Sequence, residues 1–298
     1  MAKSKKSGGK KTTKVAEQSG WSPDAITQLR VTPGFTLSDV DPRSTPGFSG
    51  DKKSAEPLGL EAAETLSQLQ EQLFASSRKG DNRKVLLVLQ GMDTSGKGGI
   101  VRHVVGAVDP QGVEHVAFKA PTPAELRHDF LWRIRRHLPG PGLIGVFDRS
   151  QYEDVLIGRV KQLAPADEIE ERYNLINAFE QEAVDNDTTV IKVMLHISAE
   201  EQKARLLERL DRPDKYWKFN PGDIDERMLW TDYQAAYQTA LERTSTAAAP
   251  WFVVPADRKW YARLAVRHLL LRALNDMALT WPDADFDLAG ERARLAAS

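Results

Sequence analysis

From about residue 58 onward, short apolar runs alternate with longer stretches whose apolar residues recur at helical spacing. The runs fall at 84–90 (KVLLVLQ), 113–118, 143–147 (LIGVF), 189–197 (TVIKVMLHI) and 251–254. Runs this short and apolar on both faces predict parallel strands covered on either side by helices. Two of the intervening stretches open on capping boxes. Thr122, followed by Pro123 and Glu125, leads into PAELRHDFLWRIRRHL, and Ser198 with Glu201 leads into AEEQKARLLERL. Strands alternating with helices predict right-handed βαβ units in one α/β domain.

The ends of the chain read differently. Residues 1–20 hold six lysines and almost no large apolar side chain, which predicts a solvated basic tail. Residues 21–57, with Pro33, Gly34, Pro42, Pro46 and Gly47, predict an irregular arm laid on the main domain. The main domain is expected over 58–280 and a C-terminal tail over 281–298. Lysine plus arginine (41) nearly balances aspartate plus glutamate (42), which argues against a dedicated nucleic-acid binder. With no cysteine, disulfides, thiolate metal sites and a cysteine nucleophile are excluded. No apolar run approaches the ~18 residues of a membrane span, and no apolar segment follows the basic N-terminal stretch. A cytoplasmic protein is the expectation.

The chemistry concentrates after the first run. Gly91-Met92-Asp93-Thr94-Ser95-Gly96-Lys97-Gly98-Gly99 fits G-x-x-x-x-G-K between a predicted strand and a predicted helix. Glycines at 91, 96, 98 and 99 let the backbone wrap, so that N–H groups of the loop, Thr94 and Ser95 included, point at phosphate oxygens. Lys97 would neutralise phosphates at the reacting end. Gly98 stands where such loops carry the Ser or Thr that binds Mg2+. Asp93, a carboxylate inside the loop, is the candidate to hold the metal instead, since it would repel phosphate unless a cation lay between them.

The third run ends in Asp148-Arg149. A carboxylate leaving the sheet beside a phosphate-loop strand predicts a second metal ligand, with Arg149 facing phosphate. The stretch 203–222 is rich in basic side chains, among them Arg205, Arg209, Arg212, Lys215 and Lys218. Its place late in a phosphate-loop kinase predicts a helical lid whose arginines stabilise the transferring group. Six histidines are scattered along the chain (103, 115, 128, 137, 196, 268) and read as structural or surface residues.

Together GMDTSGKGG, FDRSQYEDVL and RLLERLDRPDKYWKF resemble the polyphosphate kinase 2 family, over about residues 30 to 280. PTPAE at 121–125, LWRIRRHLP at 131–139 and the stretch 244–274 add to the likeness. The resemblance implies a thymidylate-kinase-like three-layer sandwich with a parallel sheet, a helical lid and a channel for linear polyphosphate. It also implies Mg2+ (or Mn2+ in its place), assembly as a dimer or tetramer, and transfer between polyphosphate and ADP or AMP, with GDP a further candidate. Carried over, the catalytic residues are Asp93, Lys97, Asp148, Arg149 and Arg209; from the basic lid stretch itself, Arg205, Lys215 and Lys218 are expected phosphate contacts. The flanks look most like class III, but Gly98, Asp148 and Gln151 stand where Asp, Asn and His are common there. These departures bear on the use of AMP. Two other readings stay open: an ATP-dependent nucleoside monophosphate kinase, and a non-catalytic protein that binds polyphosphate or nucleic acid.

Overall fold

The computed structural model describes residues 21–22 and 24–298, and the predicted basic tail at 1–20 lies outside them. Five strands form one parallel sheet: β1 (Lys84–Gln90), β2 (Val113–Ala117), β3 (Ile144–Asp148), β4 (Thr188–His196) and β5 (Trp251–Pro255), in the order β2-β3-β1-β4-β5. The longer helices are α1 (Lys52–Ser77), α2 (Lys97–His103), α3 (Ala166–Asp185), α4 (Ala199–Asp211), α5 (Gly222–Met228), α6 (Trp230–Thr244), α7 (Lys259–Asp276) and α8 (Leu288–Ala296).

Alternation along β1 divides the core in two. Val85, Leu87 and Leu89 pack with Leu66, Leu73, Leu264 and Leu269 from α1 and α7. Leu86 and Val88 face the other way, onto Tyr173, Ile176 and Phe179 of α3 and Tyr237 and Leu241 of α6. This is the expected three-layer sandwich. Because β1 is central and pairs with β3 on one side and β4 on the other, the loop after β1 and the end of β3 emerge side by side.

Three predicted elements differ. The helix expected after Thr122 is broken into a turn at Glu125–Arg127 and a short helix at Trp132–Arg135. The capping box forms, with the Thr122 N–H bonded to Glu125 at 2.7 Å, but His128 is extended and Asp129 caps a fresh start by accepting from Leu131 N–H. The irregular arm is shorter than predicted, because α1 already begins at Lys52 behind a capping box formed by Asp51 and Ser54. Pro57 lies inside that helix, in its second turn, where a proline normally argues against one. The box at Ser198 is half formed. Its hydroxyl accepts from Glu201 N–H, while its own N–H bonds Asp257 and the Glu201 carboxylate turns to Arg205. β2 is an edge strand with Glu114, His115 and Ala117 exposed.

Candidate active site

The phosphate loop is strapped down from several directions. Gly91 N–H donates to the buried Tyr237 hydroxyl at 3.0 Å, and Gln202 Nε2 donates to the Asp93 carbonyl at 3.2 Å. Gly91 has φ +146°, and a Cβ there would sit 2.6 Å from the Leu195 carbonyl, so no other residue fits. Gly98 is the opposite case: a Cβ there would meet nothing within 4 Å. The missing hydroxyl is therefore not forced by lack of space.

Arg205 does not have the role predicted for it. It is 5% exposed, and all five of its N–H groups are engaged by the protein. Nε donates to Glu201, Nη1 to the carbonyls of Thr94 and Ser95, and Nη2 to those of Ala256 and Asp257. A fully satisfied guanidinium has nothing left for a phosphate, so Arg205 is a buttress joining the loop to the end of β5.

Lys97 folds back onto the loop and donates from Nζ to the Gly91 carbonyl at 2.7 Å. Burial pulls the pKa of its ammonium down, helped by Arg149 and opposed by Asp93, Asp148 and Glu153. Arg149 has left-handed backbone, φ +65°, a costly conformation that recurs at functional sites. It aims the guanidinium back at Asp93 (2.9 Å) and toward Glu153 (3.8 Å). Thr94 Oγ1 and Ser95 Oγ are buried with no hydrogen-bond partner among the described residues, which marks the loop as shaped for something that binds there.

Two cavities open on this loop. The larger, about 810 Å³, is lined by Met92, Phe118, Phe130 and Leu156 with Arg133 and Glu153 among its polar groups. The second, about 520 Å³, is lined by nine lysines and arginines against the carboxylates of Asp93, Asp148 and Glu208. Asp93 and Arg149 border both. Lys97, Arg209, Lys215 and Lys218 all face the basic cavity, as does the loop from Thr94 to Gly99. Lys215 is paired with Glu208, and Lys218 lies 4.9 Å from the ring centre of Trp217.

The predicted lid differs in its first half. Arg205 and Leu206 on α4 are buried against the body, whereas no residue from 207 to 232 is. Sequence reasoning assigned no role to Arg102, Lys259 and Arg263, which also line the basic cavity, because single cations on helices look like any solvated face. It also gave none to Glu153, whose pKa is raised by burial against the pull of Arg149 and Lys97. Gln90, with its amide turned so that both ends are satisfied, donates to Glu153 at 3.1 Å.

The sequence model of the family described as Polyphosphate kinase 2 (PPK2) matches residues 52–281. The chain belongs to the polyphosphate kinase 2 family. A solved polyphosphate kinase 2 from Arthrobacter aurescens TC1 is 56% identical, with a TM-score of 0.90, and the match covers 94% of this chain and 98% of that one. Among curated relatives, the AMP/ADP-polyphosphate phosphotransferase of Meiothermus ruber is 43% identical over 84% of this chain and 92% of its own length. The ADP-polyphosphate phosphotransferase of Rhodopseudomonas palustris is 41% identical over 82% and 86%. The chain is thus a kinase on the phosphate-loop fold. Among the described residues, no helix is long and apolar enough to cross a membrane.

Proposed function

We propose that the protein moves a phosphoryl group between inorganic polyphosphate in the basic cavity and ADP or AMP, with its base and sugar in the larger cavity. The observation that carries this reading is the meeting of two cavities of unlike character at Asp93 and Arg149, over the phosphate loop. One cavity combines apolar side chains with mostly acidic polar groups, a mixed wall suited to the base and sugar hydroxyls of a nucleoside. The other has an excess of fixed positive charge suited to a long polyanion and poorly suited to a base.

In the synthetic direction, a terminal phosphate oxygen of the nucleotide attacks the terminal phosphorus of the chain. The P–O bond to the next phosphate breaks, and the chain leaves shortened by one unit. Lys97 exchanges its Gly91 carbonyl for a phosphate oxygen, and Arg149 and Arg209 bear on the charge of the transferring group. Positioning and electrostatics suffice for this chemistry, with no covalent enzyme intermediate.

The residues at the loop fit a hard divalent cation, Mg2+ or Mn2+. Asp93 and Asp148 offer oxygen donors, and the unpartnered Thr94 and Ser95 hydroxyls lie in the same loop. Among the described residues, no group of three carboxylates or histidines could enclose a cation alone. Phosphates and water would complete its shell, as Mg2+ prefers. When bound there the cation screens the like charges of the two substrates.

The deciding experiment offers purified protein polyphosphate or ATP as donor with AMP, ADP or GDP as acceptor, with Mg2+ and with EDTA. Metal-dependent phosphorylation of ADP or AMP from polyphosphate is expected. Transfer from ATP alone would mean an ordinary monophosphate kinase, and no transfer with tight polyphosphate binding would mean a binding protein. In the same preparation, sedimentation checks the expected dimer or tetramer.

A further inference from the structure

We propose that Asp223 is a positioning residue for the transfer: it anchors Arg209 by one nitrogen, so that the rest of the guanidinium is held out toward the phosphates. Arg209 Nη1 donates to the Lys218 carbonyl at 2.9 Å and to Asp223 Oδ2 at 3.1 Å. Among the described residues, its Nε and Nη2 have no protein acceptor. Arg205, one turn earlier on the same helix, has every N–H engaged. Two arginines at i,i+4 on one helix therefore have opposite donor inventories.

The position of the pair gives this difference a use. Arg209 lines the basic cavity and Asp223 the larger one, so the ion pair stands between the two, as Asp93 and Arg149 do. Both partners are largely covered, with side-chain exposures of 23% and 15%. Asp223 is itself held at the start of α5, where its N–H donates to the Asn220 carbonyl at 2.8 Å and the Asn220 N–H reaches its Oδ2 at 3.5 Å. Left free, an arginine on a surface helix samples many rotamers and must order one each time substrate arrives. Anchored at Nη1, it keeps a planar pair of donors, Nε and Nη2, whose spacing matches two phosphoryl oxygens. The gain is in orientation, and it falls on turnover more than on binding.

This inference rests on the reading that Arg209 contacts the transferring group, and the test separates the two. Turnover, KM for polyphosphate, the Mg2+ concentration at half activity and melting temperature are measured for Asp223→Asn, Asp223→Glu, Arg209→Ala and Asp223→Asn with Arg209→Ala. Asp223→Asn, an equal-sized change, should lower kcat about 10-fold with less than about 3-fold change in KM. Melting temperature and Mg2+ midpoint should stay unchanged, and Asp223→Glu should recover part of the rate. In the Arg209→Ala background, Asp223→Asn should cost nothing further, because it acts only through Arg209. Normal kcat in Asp223→Asn beside a crippled Arg209→Ala would overturn the anchoring role alone. Multiplying losses in the double variant, or a shifted Mg2+ midpoint, would overturn it by showing that Asp223 acts directly. Normal turnover in Arg209→Ala would remove the underlying reading of the lid, and this inference with it.

Discussion

The phosphates face two walls built by different means. On the sheet side, the loop from Gly91 to Gly99 hangs from a buried strand and is tied by Tyr237, Gln202 and Arg205, whose other donors fix it to the end of β5 and to Glu201. On the lid side, no side chain of residues 207–232 is fully buried; Leu229 and Trp230 pack partly against the core, and polar contacts hold the rest of the segment. Arg227 reaches the Ala199 carbonyl and Gln202, Lys161 pairs with Glu226, and Arg209 pairs with Asp223. The difference separates stability from motion. Buried, multiply bonded contacts make the loop part of the global fold, whereas a few part-buried polar contacts can break locally at small cost. A polyanion can thus be received by a fixed cradle and covered by a segment that opens without unfolding the core.

The sharpest way to test this contrast is to remove the charge from the cradle without touching its supports. Lys97→Ala should reduce transfer on the order of 1,000-fold, because the loop loses the cation that meets the phosphates. Its melting temperature should stay close to that of the parent, since Lys97 bonds only loop carbonyls. Turnover near normal in a folded variant would remove the phosphate-loop reading.

Removing a support should do the reverse. Arg205→Ala strands four backbone carbonyls and Glu201, and should cost about 3–5 kcal/mol of stability. The expected readout is a melting temperature lower by on the order of 10 °C, with transfer failing as the loop loosens. An unchanged melting temperature would mean that the two walls are less different than their contacts suggest.

Next come the carboxylates. Asp93→Asn should cut turnover about 100-fold and Asp148→Asn should raise the Mg2+ requirement several-fold, each exchanging a charged oxygen ligand for a neutral one. A Mg2+ titration that overlays the parent in both variants would make the pair structural. The smallest effect belongs to the lid surface. Lys215→Ala removes a part-exposed ion pair with Glu208 and should shift stability by no more than about 1 kcal/mol. Raising salt from low to moderate should then weaken polyphosphate binding more than it lowers the melting temperature.

Much of this was legible in the chain. All five strands fall within a residue or so of the apolar runs; in the four besides the edge strand β2, residues buried on both faces leave a signal that no neighbour can mask. The phosphate loop and Asp148 were legible for a related reason: their chemistry sits at the ends of those runs. The break at His128 was not, since the apolar spacing continues across it and only the local turn at Asp129 decides otherwise. The start of α1 was hidden by Pro57. Arg205 and Arg209 look alike as letters. What separates them is the set of carbonyls brought near one and not the other by contacts 51 to 111 residues away in sequence. Tyr237, 146 residues from Gly91, left no local trace either.

The buried charge below the site carries a consequence for how this chain can diverge. Lys192 and Glu180 form an ion pair with side-chain exposures of 0% and 2%, and Gln151 Nε2 donates to the same Glu180 carboxylate at 3.0 Å. Residue 151 therefore answers to a carboxylate inside the protein and lines neither cavity. Any replacement accepted there must bring a donor of similar reach, and histidine does so as readily as glutamine. Position 151 is thus constrained by Glu180, a group of the protein's own interior, and not by either cavity.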